Sequence, residues 1–236
     1  MDEVKRLAFL GRISNALGRT EVPTTVEAYP YENGPQAQLY KDATHDEIVE
    51  KFKIECDKVG TKYIETTPDK VAETILAEIA TRGGGKVIFP KSEDIQHYHL
   101  DEAFASVTDG SASFVCWDAD LGSKANIDAA QDAQIGITFP IMGIAETATI
   151  IQPSDKESGR SVGLLPITHI AVLQKSNIVP RMTQSMVTLK KMYQDNPADF
   201  PSNIVHISGP SNTADIELVR VVGVHGPINV TFILVD

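Results

Sequence analysis

Glu146 is the residue whose setting most needs a chemical explanation, because it interrupts an otherwise apolar run, GIAETATIIQ at 143–152. An ionised carboxylate among apolar side chains is costly unless it is paired or put to use. Thr147, Thr149, His169 and the loop at 208–215 are the groups that could satisfy it. Put to use, it would be a nucleophile or general base; the plainer reading is a structural hydrogen bond. His169 and His225 lie beside strand-like segments and can carry a proton near neutral pH, although a satisfied core histidine is the commoner outcome. Glu146 and His169 are therefore the catalytic candidates.

A second cluster follows the apolar run that ends at Ile207. Ser208-Gly209-Pro210-Ser211-Asn212-Thr213 offers hydroxyls and backbone N–H groups, and such turns are expected outside the carboxyl ends of strands, where α/β proteins meet ligands. A helix starting near Ser211 would favour an anion by ~0.3 to 1 kcal/mol through its dipole. The alternative is simple capping by Ser211 and a turn at Pro210. Asp215 is a natural partner for a histidine or for backbone amides. The ligand-binding candidates are thus Thr147, Thr149, Ser208, Gly209, Ser211, Asn212, Thr213, Asp215 and His225.

Other chemistry is weaker. His97 and His99 would share a face on a strand but not on a helix, and the acids around them favour a polar surface segment, so no metal ligand is assigned. Cys56 and Cys116 form no C-x-x-C pair and cannot supply the four thiolates of an iron-sulfur cluster. Cys56 falls on an apolar stripe and reads as core. Gly83-Gly84-Gly85 follows a helix and precedes a strand, the reverse of a phosphate loop, and reads as a turn. Neither a G-x-S-x-G elbow nor a Ser-His-Asp order is present.

The 236 residues are enough for a substantial core, with 42% hydrophobic and 22% charged residues, ordinary globular values. A formal charge of -11 argues against general nucleic-acid binding, which needs clustered Lys and Arg. No stretch approaches the ~20 apolar residues of a membrane helix. The N-terminus carries early acids and lacks an apolar h-region, so a cytoplasmic soluble protein is expected, with two lone thiols suited to a reducing compartment.

The elements that must position these residues alternate. Residues 2–17 read as an amphipathic helix; 20–42 hold three prolines and an Asn-Gly pair and read as an irregular arm. Thr44 and Glu47 form a capping box for a helix stopped by Gly60. Strands at 62–65 and 87–89 flank a helix opened by Thr67-Pro68, with a right-handed crossover if they are parallel neighbours. A strand at 113–117, a small-residue helix at 125–133 and a strand at 135–139 continue the alternation, which predicts an α/β sheet with helices on both faces. GIAETATIIQ and SVGLLPITHIAVLQ have no helix-length spacer, so an antiparallel hairpin or an extension of the main sheet is expected. Pro180 opens a helix whose Met182, Met186, Leu189 and Tyr193 share a face, the methionines read as core filler.

Several spaced phrases then point to a family. GIT (136–138), IAETAT (144–149), LLPITHIAV (164–172), IVP (178–180), ISGPSNTADIE (207–217) and GVHGP (223–227), with ISNALGR (13–19) near the start, resemble the lactate-utilisation LUD domain family in its LutC type. Ala148 stands where that pattern has glycine, and Asn212 where it has a basic residue. The resemblance implies a Rossmann-like three-layer α/β sheet similar to the NagB/RpiA/CoA-transferase-like superfamily, with the added antiparallel hairpin, over 43–236 after an N-terminal helix and arm at 1–42. It also implies a role beside partner proteins that carry iron-sulfur clusters and together oxidise L-lactate to pyruvate. This chain would hold no cofactor of its own and bind a small anionic ligand, as an accessory subunit and not an independent catalyst. The alternative is a stand-alone enzyme acting on a phosphorylated or CoA-linked metabolite through Glu146. The family pattern carries no assigned catalytic residues, so Glu146 and His169 rest on their own chemistry.

Overall fold

The computed structural model describes residues 2–25, 34–214, 219 and 221–236. The chain divides into two compact units, 1–41 and 42–236. In the first, α1 (Glu3–Ala16) begins where the Asp2 carboxylate accepts the Val4 N–H, and a short α2 spans Pro35–Gln38. Residues 26–33 of the arm lie outside the described residues.

The second unit opens with α3 (His45–Val59). The capping box is present: the Thr44 hydroxyl accepts the Glu47 N–H, and the Glu47 carboxylate accepts the Thr44 N–H at 2.7 Å. Gly60 ends the helix in the left-handed region. Then come β1 (Lys62–Thr66), α4 (Val71–Thr81), β2 (Gly85–Phe89), α5 (Glu93–His97), α6 (Leu100–Ala105), β3 (Ala112–Cys116), α7 (Gly122–Gln131) and β4 (Ile135–Thr138). The last third holds β5 (Met142–Ile144), β6 (Thr149–Ser154), α8 (Ser161–Leu164), β7 (Thr168–Gln174), β8 (Ile178–Val179), α9 (Met182–Asp195), β9 (Asn203–Ile207), β10 (Asn212–Thr213), β11 (Val221–Val222) and β12 (Asn229–Val235).

Among the described residues the central sheet has six strands, ordered β1-β12-β7-β4-β2-β3, with every neighbouring pair parallel. A parallel sheet needs cover on both faces. On one, α4 and α6 bury Val71, Ile75, Ile79, Leu100 and Phe104 against Ile135, Ile170 and Ile233. On the other, α7 and α8 pack Ala130 and Val162 near Ile88, and Phe52 of α3 lies 5.7 Å from Phe232. This is the three-layer α/β arrangement. The hairpin is β5–β6, antiparallel, widened to a four-stranded sheet in the order β8-β5-β6-β9.

Several expectations change in detail. Of the two alternatives for the second strand-like stretch, 161–174, the structure takes the main sheet and not the hairpin: β7 sits in the middle of the parallel sheet, and the change is that Ser161–Leu164 is helical. Gly136 permits this, since a Cβ there would lie 1.8 Å from the Val162 carbonyl oxygen. β1 and β2 are not neighbours, because β12, β7 and β4 lie between them. The segment around His97 and His99 is more than polar surface: Tyr98, Leu100 and Phe104 reach the core, while His97 ends one helix and His99, left-handed at φ 53, precedes the next. On α9, Leu189 is buried but Met182 and Met186 are exposed, so these methionines do not fill the core.

Candidate functional site

The β5–β6 hairpin turns through Ala145–Thr147, one tight turn that ends at Ala148 in the left-handed conformation (φ 48, ψ 41). Glycine is the usual residue for that backbone, which gives the glycine of the resembled pattern its physical reason. The turn presents Glu146 on the surface side, partly buried, and Thr147 exposed. Glu146 is satisfied by a residue that its sequence neighbourhood does not reveal. Arg181, just before α9, donates from Nε to Glu146 Oε2 at 2.8 Å, and the Glu146 N–H donates to the Pro180 carbonyl at 3.1 Å. The parallel pairing of β5 with β8 brings residue 181 to the hairpin tip.

Beside this ion pair runs a chain of hydroxyls. Thr147 Oγ1 and Thr149 Oγ1 are 2.6 Å apart, as are Thr149 Oγ1 and Ser208 Oγ. Thr149 is buried, and Thr147 and Ser208 are exposed at its two ends. β9 delivers Ser208 because Ile207 pairs with Ile150. Gly209 follows at φ 80, and a Cβ there would come within 2.5 Å of Thr61 Oγ1, so the loop closes against the residue that precedes β1.

The remaining loop residues take other tasks. The Ser211 N–H donates to the Pro227 carbonyl at 2.9 Å, and the Ser211 carbonyl accepts the Gly223 N–H at 2.9 Å. Asn212 and Thr213 pair as β10 with Val222 and Val221 of β11, so no helix begins at Ser211 and no dipole is aimed from it. Asn212 Nδ2 donates to the Pro210 carbonyl at 2.6 Å. His225 is exposed in the turn that precedes β12. Asp215 lies outside the described residues. Because this loop and turn abut residue 61 and the start of β12, they occupy the amino-terminal edge of the parallel sheet, not the carboxyl edge.

His169 is held apart from Glu146. It is fully buried on β7 and its Nε2 lies 2.7 Å from Thr138 Oγ1. Gly163 of α8 leaves room for the ring, which would be 3.1 Å from a Cβ there. Nδ1 makes no hydrogen bond, and burial pushes the pKa down to about 4.

Among the described residues neither a histidine nor a carboxylate is hydrogen-bonded to the hydroxyl chain, so none of them is set there as a base for a nucleophile. What the corner can do is recognise: the hydroxyl chain starts at Thr147, next to Glu146, and the guanidinium that Glu146 holds makes its only hydrogen bond to the described residues through Nε, leaving terminal donors for a carboxylate. Among the described residues, no group of three or more His, Cys, Asp and Glu side chains converges as a metal site. Cys56 is buried with its thiol pushed up to about 12 by burial, and Cys116 is exposed. No helix among the described residues is long and apolar enough to cross a membrane. Arg181 was not legible as a site residue, because a lone Arg at a helix start looks like solvated charge. Nor were Lys91, Asp94 and Gln152, which border a crevice at the carboxyl ends of β2 and β4 where none of the sequence-derived candidates lies.

Comparison with known proteins agrees with this architecture. The chain is similar to a protein named lactate utilization protein C from Bacillus licheniformis, 40% identical over 229 residues that cover 97% of this chain and 95% of that protein. A protein of the same name from Bacillus subtilis (strain 168) is 38% identical over 97% of this chain and 95% of its own length. The fold is that of a duf162 family protein from Deinococcus radiodurans, whose crystal structure superposes with a TM-score of 0.58 at 19% identity, covering 82% of this chain and 99% of that one. The LUD domain pattern matches residues 49–235, and the chain belongs to the LUD domain family.

Proposed function

We propose that this chain is a subunit of an L-lactate utilisation system, converting L-lactate to pyruvate together with iron-sulfur partner proteins. The observation that carries the reading is similarity at 34 to 40% identity, over nearly the whole of both chains, to proteins named lactate utilization protein C. A shared fold alone would not support it. Oxidation of lactate to pyruvate releases two electrons and two protons, and the electrons need an acceptor. Two separated cysteines cannot hold a four-thiolate cluster, so the clusters belong to the partners in this account.

Within that system the hairpin corner binds a small carboxylate. The terminal nitrogens of Arg181 would grip its two oxygens, while the hydroxyl chain, whose two internal bonds use two of its three protons, donates its remaining proton from one end, Thr147 or Ser208. Glu146 is a positioning residue that orients the guanidinium through Nε. Tagged chain isolated from cells grown on L-lactate is expected to bring down proteins that contain iron and acid-labile sulfide. Calorimetry of L-lactate against the purified chain is expected to show binding that Arg181→Met abolishes. A chain that purifies alone from such cells would overturn the subunit reading. L-Lactate binding left intact by Arg181→Met would overturn the carboxylate corner.

A further inference from the structure

The strand order of the central sheet reverses between β2 and β4. β2 is followed in sequence by β3 on its outer side, whereas β4 lies on its other flank and leads on to β7. The connections leave the carboxyl ends of β2 and β4 in opposite directions and open a crevice, the place where open α/β sheets meet ligands. Here the end of β6 and the loop after it form a third wall, and the crevice encloses about 200 Å³. It lies at the opposite end of β6 from the Arg181 corner, since Thr149 starts that strand and Ser154 ends it.

The walls are tied together. The Lys91 N–H donates to the Glu157 carbonyl at 3.1 Å, and Asp155 Oδ1 accepts the N–H groups of Glu157 and Ser158 at 2.7 and 2.9 Å. The Trp117 indole N–H donates to the Lys156 carbonyl at 2.9 Å. Gly159 lies so close to Trp117 that a Cβ would fall 2.1 Å from the ring. A loop held at these points is ordered before a ligand arrives, which lowers the entropy cost of binding.

Gln152 is the residue that points to a ligand. It is 7% exposed and lines the crevice, and its Oε1 makes no hydrogen bond, while its Nε2 donates to the Pro153 carbonyl at 3.0 Å. Ile151 packs against Leu189, so Gln152 faces the other way, as does Ser154, whose Oγ is also buried without a partner. Buried acceptors without donors are rare in native proteins and ask for an explanation.

The chemistry around Gln152 selects the ligand. Asp94, whose Oδ2 takes the Ser92 hydroxyl at 2.6 Å, and Asp155 offer further acceptors; Lys91 and Ser158 offer donors; Phe139 supplies an apolar face. Two carboxylates face one ammonium, and Glu157 stands 4.0 Å from that ammonium, so an anion is disfavoured. A cationic amine would use the acceptors but meet Lys91. A hydroxyl both donates and accepts, so a ligand rich in hydroxyls uses both sets side by side without adding charge. We propose that this crevice binds a small uncharged polyol of pentose size, one hydroxyl donating to Gln152 Oε1 and its C–H face resting on Phe139. The site is separate from the carboxylate corner, and the lactate reading stands or falls without it.

The test is an NMR titration of the full chain with D-ribose, run in parallel with ethanolamine, L-lactate and inorganic phosphate. D-Ribose is expected to give saturable shifts of the Gln152 side-chain amide and of the backbone amides of Lys91, Phe139 and Ser158. Gln152→Leu, which keeps the bulk and removes the acceptor, is expected to weaken that binding about tenfold. If that variant does not fold, Asp94→Asn, at the partly exposed start of α5, carries the same expectation of weaker D-ribose binding. No saturable response to D-ribose would overturn the proposal. So would crevice shifts produced by ethanolamine, L-lactate or phosphate in its place, or D-ribose shifts that neither substitution alters.

Discussion

His169 separates what a residue type can do from what its position allows. Imidazole near neutral pH suggests a proton carrier, but full burial without a countercharge favours the neutral form and pushes the pKa down to about 4. The folded value lies below the unfolded value near 6.5, so the unfolded chain takes up the proton first. Stability is therefore complete above about pH 6.5 and declines as pH falls towards 4, by up to about 3 kcal/mol from this group. Proton NMR of the ring is expected to show no titration of His169 between pH 8 and 5, and a midpoint near 6.5 would contradict the burial argument. The same contrast applies at Glu146. Its apolar sequence setting marks it as needing a partner, and that was legible. The partner, Arg181, was not, because it arrives through the β5–β8 pairing 35 residues later in the chain.

At the scale of elements, the hairpin turn depends on Ala148 holding a left-handed backbone while 0% exposed. Replacing it with glycine would relieve about 1 kcal/mol of backbone strain and lose a buried methyl worth about 0.8 kcal/mol, so the two nearly cancel. A β-branched side chain cannot adopt this conformation without further strain. Ala148→Val is expected to lower stability by about 2 to 3 kcal/mol in urea unfolding, whereas Ala148→Gly stays within about 0.5 kcal/mol of the parent. A second element-scale device joins α4 to two strands. Glu78 is 2% exposed and accepts from Lys62 Nζ of β1, from Arg82 Nε at 2.8 Å and from Thr231 Oγ1 of β12 at 2.8 Å. Burial pushes its pKa up, but the bonds from Lys62, Arg82 and Thr231 outweigh that and hold it below the usual carboxylate range. Glu78→Ala is expected to cost about 2 to 3 kcal/mol, at or below the low end for breaking a buried pair because Lys62 and Arg82 are partly exposed and can rehydrate. An unchanged urea midpoint would show that the network adds nothing.

For the whole molecule, local signals and long-range ones fared differently. The Thr44 capping box, the glycine stop at Gly60, the Gly83-Gly84-Gly85 turn and the alternation of strand and helix are encoded within a few residues, and each was legible. Strand order was not, because β12 at the C-terminus inserts between β1 and β7, and no local pattern specifies that. The same gap affected the site. Ser208-Gly209-Pro210-Ser211 has the composition of a strand-end ligand loop, yet the register of β9 with β6 puts Ser208 beside Thr149, while Ser211 spends its backbone groups on the turn at 223–227. In the proposed function the chain works within an assembly, and L-lactate oxidation needs it. The most direct measurement is pyruvate formation from L-lactate in cells of the native host with this chain deleted. Activity and growth on L-lactate are expected to be lost and to return with the intact chain, but to return poorly with Arg181→Met. Undiminished oxidation of L-lactate in the deletion strain would contradict it.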